Sequence, residues 1–218
     1  MNKNNKTLKD IFATALDSYR KKDLKKAEVI CYKILSIDPN HFSSIFLLAT
    51  IFALQANFEK AKELLHKAIK IESKNTNALN NLGTCYKELG QYNEAKVFFE
   101  KILEIDPKHT NANYNLGLVF YSLGDLKKSK IFLQKTIEIQ SNYALAHFSL
   151  GNVHLDLKEF ERALSCYQKA IEIRPDYVSA HNNLGLVFRI LNDFDNAVSS
   201  YERAVKIQPN HAGAYHNM

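Results

Sequence analysis

The chain has 218 residues, 46% hydrophobic and 24% charged, with a formal net charge of +6. That apolar share excludes general disorder, and no apolar run has the length of a membrane span or a signal-peptide core, so a cytoplasmic location is expected. The positive balance rests on 24 lysines against 5 arginines. Arginine is the usual reader of phosphates and base edges, so nucleic acid is disfavoured as a partner.

The dominant feature is self-similarity at an interval of 34 residues. Ile37, Ile71, Ile105, Ile139, Ile173 and Ile207 keep that interval, as do Leu48, Leu82, Leu116, Leu150 and Leu184, with Met218 one step further. Gly83, Gly117, Gly151 and Gly185 follow it too, and all four prolines (Pro39, Pro107, Pro175, Pro209) share one phase. A period in this range means stacked supersecondary units, and such arrays bind rather than catalyse.

In chain order, a short polar segment (1–7) leads into six units, 8–41, 42–75, 76–109, 110–143, 144–177 and 178–211, and 212–218 begin a seventh, incomplete one. Residues 1–41 hold nine Lys or Arg against five Asp or Glu, a basic start suited to an acidic partner or simply to solvent. The first unit carries Thr14-Ala15 and the second Leu48-Ala49 where later units carry Leu-Gly.

The third unit is the clearest. Leu79, Leu82, Gly83 and Tyr86 mark one helix face, and Gly90 ends that helix because glycine takes positive φ without strain. Tyr92, Ala95, Phe99, Ile102, Leu103 and Ile105 predict a second helix, closed by Pro107. The recurring glycine needs a packing reason, since it costs about 1 kcal/mol in a helix. Close backbone approach at Gly83 and Ala95, with Tyr86 and Phe99 filling the space beside them, supplies it.

The fourth unit has Ser129 for alanine and Ser141 for proline, which predicts a looser exit. Cys31, Cys85 and Cys166 form no CxxC pair and are expected as small buried hydrophobes. The chain stops at Met218 with Phe194, Val198, Tyr201 and Val205 under a partly formed cover. A continuation into a longer protein, or self-association through uncapped repeat ends, is expected from that.

The pattern Leu82-Gly83, Tyr86, Ala95, Phe99, Pro107, repeated as Leu184-Gly185, Phe188, Ala197, Tyr201, Pro209, resembles the tetratricopeptide repeat family. The signature tryptophan is missing; Ile45, Leu79, Asn113, His147 and His181 stand in its place. The resemblance implies an all-α fold, a right-handed superhelical solenoid of antiparallel helix pairs with first helices on the concave wall. It also implies a protein-interaction scaffold or adaptor, and no enzyme.

The wall positions are then Asn77, Asn80 and Asn81 in the third unit, Asn111, Tyr114, Asn115, Leu118 and Tyr121 in the fourth, Phe148, Ser149 and Asn152 in the fifth, and Asn182, Asn183 and Arg189 in the sixth. An amide at each step pairs with the N–H and C=O of an extended peptide, and the aromatic residues add side-chain pockets. The same amides also satisfy one another between neighbouring helices. An asparagine row of this kind looks like that of the O-linked N-acetylglucosamine transferases, as does the stretch from Asn210 to Met218. A second expectation is therefore the substrate-recruiting arm of a glycosyltransferase-like or other transferase whose catalytic domain is absent from this chain.

A carboxylate clamp for acidic C-termini, known in the family, would need lysine where Phe12, Phe46, Asn80, Tyr114, Phe148 and Asn182 stand. No cofactor or metal is expected. His147 and His154 share a face, but seven residues apart is too far for one ion, and no nucleotide, zincin or nucleophile-elbow motif occurs.

Overall fold

The computed structural model describes residues 3–210, 213 and 217, with backbone alone for 3–7. The expected start of a seventh repeat, like His211, lies almost wholly outside the described residues. Among those residues the secondary structure is helical throughout, with no strand.

Two compact units divide the chain, residues 1–107 and 108–218. The N-terminal unit holds α1 (Lys3–Arg20), α2 (Leu24–Ile37), α3 (Phe42–Leu54), α4 (Phe58–Ile71), α5 (Thr76–Glu88) and α6 (Tyr92–Ile105). The C-terminal unit holds α7 (Thr110–Ser122), α8 (Leu126–Ile139), α9 (Ala144–Asp156), α10 (Phe160–Ile173), α11 (Val178–Ile190) and α12 (Phe194–Ile207). Within each unit, consecutive helices pack as three hairpins, and each second helix also packs on the first helix of the next hairpin. No hairpin can bury both its apolar faces alone, so the stack supplies the core. Helix α1 starts at Lys3, inside the segment expected to precede the repeats.

Each hairpin closes where the sequence places its small residues. A Cβ on Gly83 would stand 2.8 Å from the Phe99 ring, and one on Gly151 would stand 2.6 Å from the Tyr167 ring. Gly185 meets Tyr201 in the same way, whereas Gly117 faces Leu133. Phe99, Tyr167 and Tyr201 are consequently among the largest fully buried side chains.

The turns are as regular as the helices. Lys22, Ala56, Gly90, Gly124, Lys158 and Asn192 all take φ between 57° and 77°. Glycine fills only two of these left-handed positions, so the array imposes the conformation on residues that resist it. Second helices exit through an extended residue. Gln140 has φ −138° and ψ 91°, and Asp106 has φ −137° and ψ 94°. The backbone angles at the exit of the fourth repeat thus match those of the third although Ser141 stands in place of proline.

Three further details come from the tertiary structure. The isoleucine series is not core: Ile37, Ile71, Ile105 and Ile139 are 37–56% exposed at the ends of their helices. Cys31 and Cys85 are buried but Cys166 is only partly so, and burial pushes all three thiols up to about 11. Of the five residues in the tryptophan slot, the three polar ones bond to the preceding turn: His147 Nε2 donates to Ser141 O and His181 Nε2 to Pro175 O, both at 2.9 Å, and Asn113 Nδ2 donates to His109 O at 3.1 Å.

Candidate functional site

The residue just before each first helix does one of two jobs. His41, Asn75 and His109 cap: His41 Nδ1 accepts from Ser44 N at 3.3 Å, Asn75 Oδ1 from Ala78 N at 3.0 Å, and His109 Nδ1 from Ala112 N at 3.2 Å. Each cap satisfies an amide that the helix leaves unpaired. Tyr143 and Tyr177 occupy the same repeat position and make no capping bond. Their rings pack on the wall of first helices: Tyr143 lies 5.1 Å from Tyr114 and Tyr177 lies 4.8 Å from Phe148, centroid to centroid.

Three of these rings, Tyr114, Phe148 and Tyr177, border a cavity of about 240 Å³ in the C-terminal unit. Helix α7 contributes Tyr114, Leu118 and Tyr121; α9 contributes Phe148, Ser149 and Asn152; Leu133 of α8 and Tyr177 complete the lining. Three predicted aromatic residues and one predicted amide therefore converge on one spot. Tyr177 and Leu133 were missed by sequence reasoning. The signal for Tyr177 was present, since tyrosine breaks the His-Asn-His series exactly one repeat interval apart at 143 and 177; Leu133 gave none, being an ordinary core leucine by pattern.

Hydrogen bonds hold the site in shape. Tyr121 Oη donates to Asp156 Oδ2 at 2.6 Å, and the Tyr114 and Ser149 hydroxyls meet at 3.5 Å. Asn152 Oδ1 accepts from Tyr167 Oη at 2.8 Å and from Asn183 Nδ2 at 3.0 Å. The chain of amides continues, with Asn182 Nδ2 donating to Asn183 Oδ1 and Asn217 Nδ2 donating to Asn182 Oδ1, each at 3.2 Å. Much of the asparagine row in this unit thus bonds to itself.

Burial, reinforced by Asp156, pushes the Tyr121 phenol up to about 12, and burial does the same to Tyr177. Burial also raises Tyr114 and Tyr167. All of them stay neutral near pH 7. The wall itself is nearly free of charge: α7 has no ionic side chain, α9 has Asp156, and α11 has Arg189.

The other predicted positions are more dispersed. Asn115 is half-buried and Asn111 exposed on α7, and Arg189 is exposed on α11. Asn77 is exposed and Asn80 and Asn81 are half-buried on α5, in the N-terminal unit.

Two other features of the C-terminal unit carry polar chemistry. Glu159 stands where Asp125 and Asp193 cap their helices, yet it makes no cap. It is bonded instead by His154 Nδ1, and by Lys130 Nζ and Arg162 Nη1, both at 3.2 Å. A carboxylate only accepts, so Nδ1 carries the proton. These bonds, from His154 first, hold Glu159 down to about 2. Burial keeps the His154 imidazole below its ordinary value, although the bond to Glu159 opposes this. Arg162 therefore pairs with Glu159 and not with its neighbour Glu161. The second feature is a larger cavity of about 640 Å³ between α8 and α10, over His147 and Leu150. Its rim holds the solvated Lys169–Glu172 pair at 2.8 Å, and His147, the residue in the tryptophan slot, lies in its lining.

Among the described residues no group of three or more His, Cys, Asp or Glu is placed to hold a metal ion, and no helix is long and apolar enough to cross a membrane.

Sequence-family models described as tetratricopeptide repeat match residues 75–142 and 178–211, and one described as TPR repeat matches 151–189, together more than half of the chain. The chain belongs to the tetratricopeptide repeat family. A model described as anaphase-promoting complex, cyclosome, subunit 3 also matches residues 20–102. No curated protein matches the sequence significantly.

Among solved structures, PilF of Pseudomonas aeruginosa aligns with a TM-score of 0.83 at 20% identity, over 97% of this chain and 96% of that one. PilW, a type IV pilus biogenesis factor, gives 0.86 at 18% identity over 99% of both chains. These two likenesses show the fold, the superhelical solenoid of tetratricopeptide repeats. YrrB, a tetratricopeptide protein with an unusual peptide-binding site, gives 0.66 at 25% identity over 85% of this chain and 96% of that one. Tetratricopeptide arrays are protein-interaction scaffolds, typically without enzymatic activity, and protein partners follow from membership.

Proposed function

We propose that this tetratricopeptide array is an adaptor that holds an extended peptide segment of a partner protein against the first-helix wall of its C-terminal unit. The observation that carries the reading is the cavity framed by Tyr114, Tyr121, Phe148 and Tyr177, with Tyr177 standing where other repeats keep a helix cap and Tyr143, at the same position one repeat earlier, packed on Tyr114. A cap contributes about 1 kcal/mol, so rings that replace it in consecutive repeats have a use other than holding the helix. Asn152 sits beside the rings, its carbonyl taken by Tyr167 and Asn183, which leaves its amide N–H groups as donors for a guest carbonyl. In this reading Asn182 and Asn183 orient Asn152 rather than touch the guest. The peptide-binding site of YrrB, 25% identical over 85% of this chain, supports the choice of ligand.

The test is a comparison of proteins captured from lysate by the wild-type chain and by Tyr121→Ala/Asn152→Ala. Both side chains are only partly buried, so the variant is expected to keep its helicity, with a melting temperature lowered by the lost acceptor of the buried Tyr167 hydroxyl, at a cost of about 1–3 kcal/mol. Partners lost with the folded variant support the groove. Identical captures from both would move the interaction to another surface and end the reading.

A further inference from the structure

We infer that the segment held by the C-terminal unit is uncharged and seats one aromatic side chain in the cavity between Tyr114, Tyr121, Phe148 and Tyr177. This rests on the peptide reading above and adds the chemistry of the guest.

Size sets the first limit. Pockets for drug-sized ligands run from roughly 300 to 1,000 Å³. At about 240 Å³ this cavity falls below that range and takes a single large side chain. Its shape sets the second. The Phe148–Tyr177 pair of the lining, 4.8 Å apart and tilted at 41°, already lies within the centroid range that aromatic pairs prefer, and a further ring extends the cluster in the same way.

Charge sets the third. The cavity lining contains no ionic side chain. An acidic guest would shed its water there, a cost that neutral side chains avoid, and the Arg174 guanidinium beside Tyr177 is already paired with Asp176. A cationic guest has rings to rest on, but the one carboxylate of this unit's wall helices, Asp156, lies outside the cavity lining and is exposed to solvent, which screens it. Tyr177 also carries a cation of the protein's own, with the Arg174 guanidinium 5.1 Å from its ring. The second helices differ sharply: α8 alone carries Lys127, Lys128, Lys130, Lys135 and Glu138. Recognition by the groove therefore runs through apolar burial and neutral hydrogen bonds, which salt does not screen.

The experiment selects binders of the full chain from a phage-displayed random peptide library and measures the synthetic winners at 50 and 500 mM NaCl. Peptides with a shared Phe, Tyr or Trp and no required charge are expected, with affinity changing less than about threefold across that range. Phe148→Ala should weaken them about 10- to 100-fold, the effect of unburying one large apolar side chain. Should Phe148→Ala not fold, Tyr121→Ala reads the same loss at a half-exposed position. Winners that map to the groove but share a Lys, Arg, Asp or Glu, and weaken steeply with salt, would overturn this inference while leaving the peptide reading intact. Winners unaffected by either variant, or no winners at all, would overturn both.

Discussion

The two units are built from the same repeat but begin their helices differently. In the N-terminal unit four of the five helix starts from α2 to α6 carry a side-chain cap, from Asp23, His41, Asn57 and Asn75. In the C-terminal unit only three of six do, from His109, Asp125 and Asp193, and the three uncapped helices, α9, α10 and α11, are consecutive. The residues at those starts, Tyr143, Glu159 and Tyr177, are committed to ring contacts or to an ionic cluster instead. The same positions thus serve local helix stability in one unit and surface chemistry in the other. Local opening measured by hydrogen exchange should accordingly be easier for the first turns of α9 to α11 than for those of α3 to α5.

The largest effects should be equal in both units, because the glycine-facing ring is common to them. Phe99→Ala and Tyr167→Ala each remove a fully buried ring and should cost about 3–5 kcal/mol in urea unfolding. A cost for one much below the other would show that the hairpins close by different means, and the comparison would rest on the wrong variable.

Acid should act on both units next, through His66 in the N-terminal unit, whose imidazole burial holds below its ordinary value, and through His154 and Glu159 in the C-terminal unit. His154 has a lowered folded value, so the unfolded chain binds its proton first, and stability falls as pH drops below about 6.5. Glu159 is held at about 2 against an ordinary 4.5, so its contribution is present above 4.5 and lost as pH falls towards 2. Both signs agree: acid weakens the C-terminal unit. His154→Phe, which installs the aromatic found at Phe120 and Phe188, should reduce the loss between pH 7 and 5 to the part that His66 contributes, and should shrink the lower limb as well, since His154 is first among the groups that hold Glu159 down. An unchanged loss in that variant would assign the first limb to another group.

Two smaller changes sharpen the contrast. Ser129 is fully buried with an unpartnered hydroxyl where other repeats carry alanine, so Ser129→Ala should gain about 1 kcal/mol and raise the melting temperature. In the N-terminal unit, Gln91→Asp should supply the missing cap of α6 for a gain of about 1 kcal/mol. Smallest of all, Ala56→Gly relieves a φ of 57° and should gain about 0.5 kcal/mol, part of the relief being offset by the greater freedom of glycine in the unfolded chain.

The sequence by itself determined the array. A fixed interval between Leu-Gly, alanine, aromatic and proline positions is enough to specify helix, turn, helix and stack, because each unit buries its apolar face only against a copy of itself. It also pointed to Tyr114, Tyr121, Phe148 and Asn152, since spacing along a helix decides which residues share a face. Two matters were decided only by the tertiary structure. The isoleucine row, the most regular feature of the sequence, is half-exposed, because periodicity records a repeated position without recording what covers it. And the asparagines divide by neighbour and not by type. Asn182 and Asn183 are bonded within the amide chain, whereas Asn152 borders the cavity through its contact with residues 15 and 31 positions away. Which amides meet one another, and which meet a guest, depends on packing between successive hairpins, and that distance is not written in the spacing along any one helix.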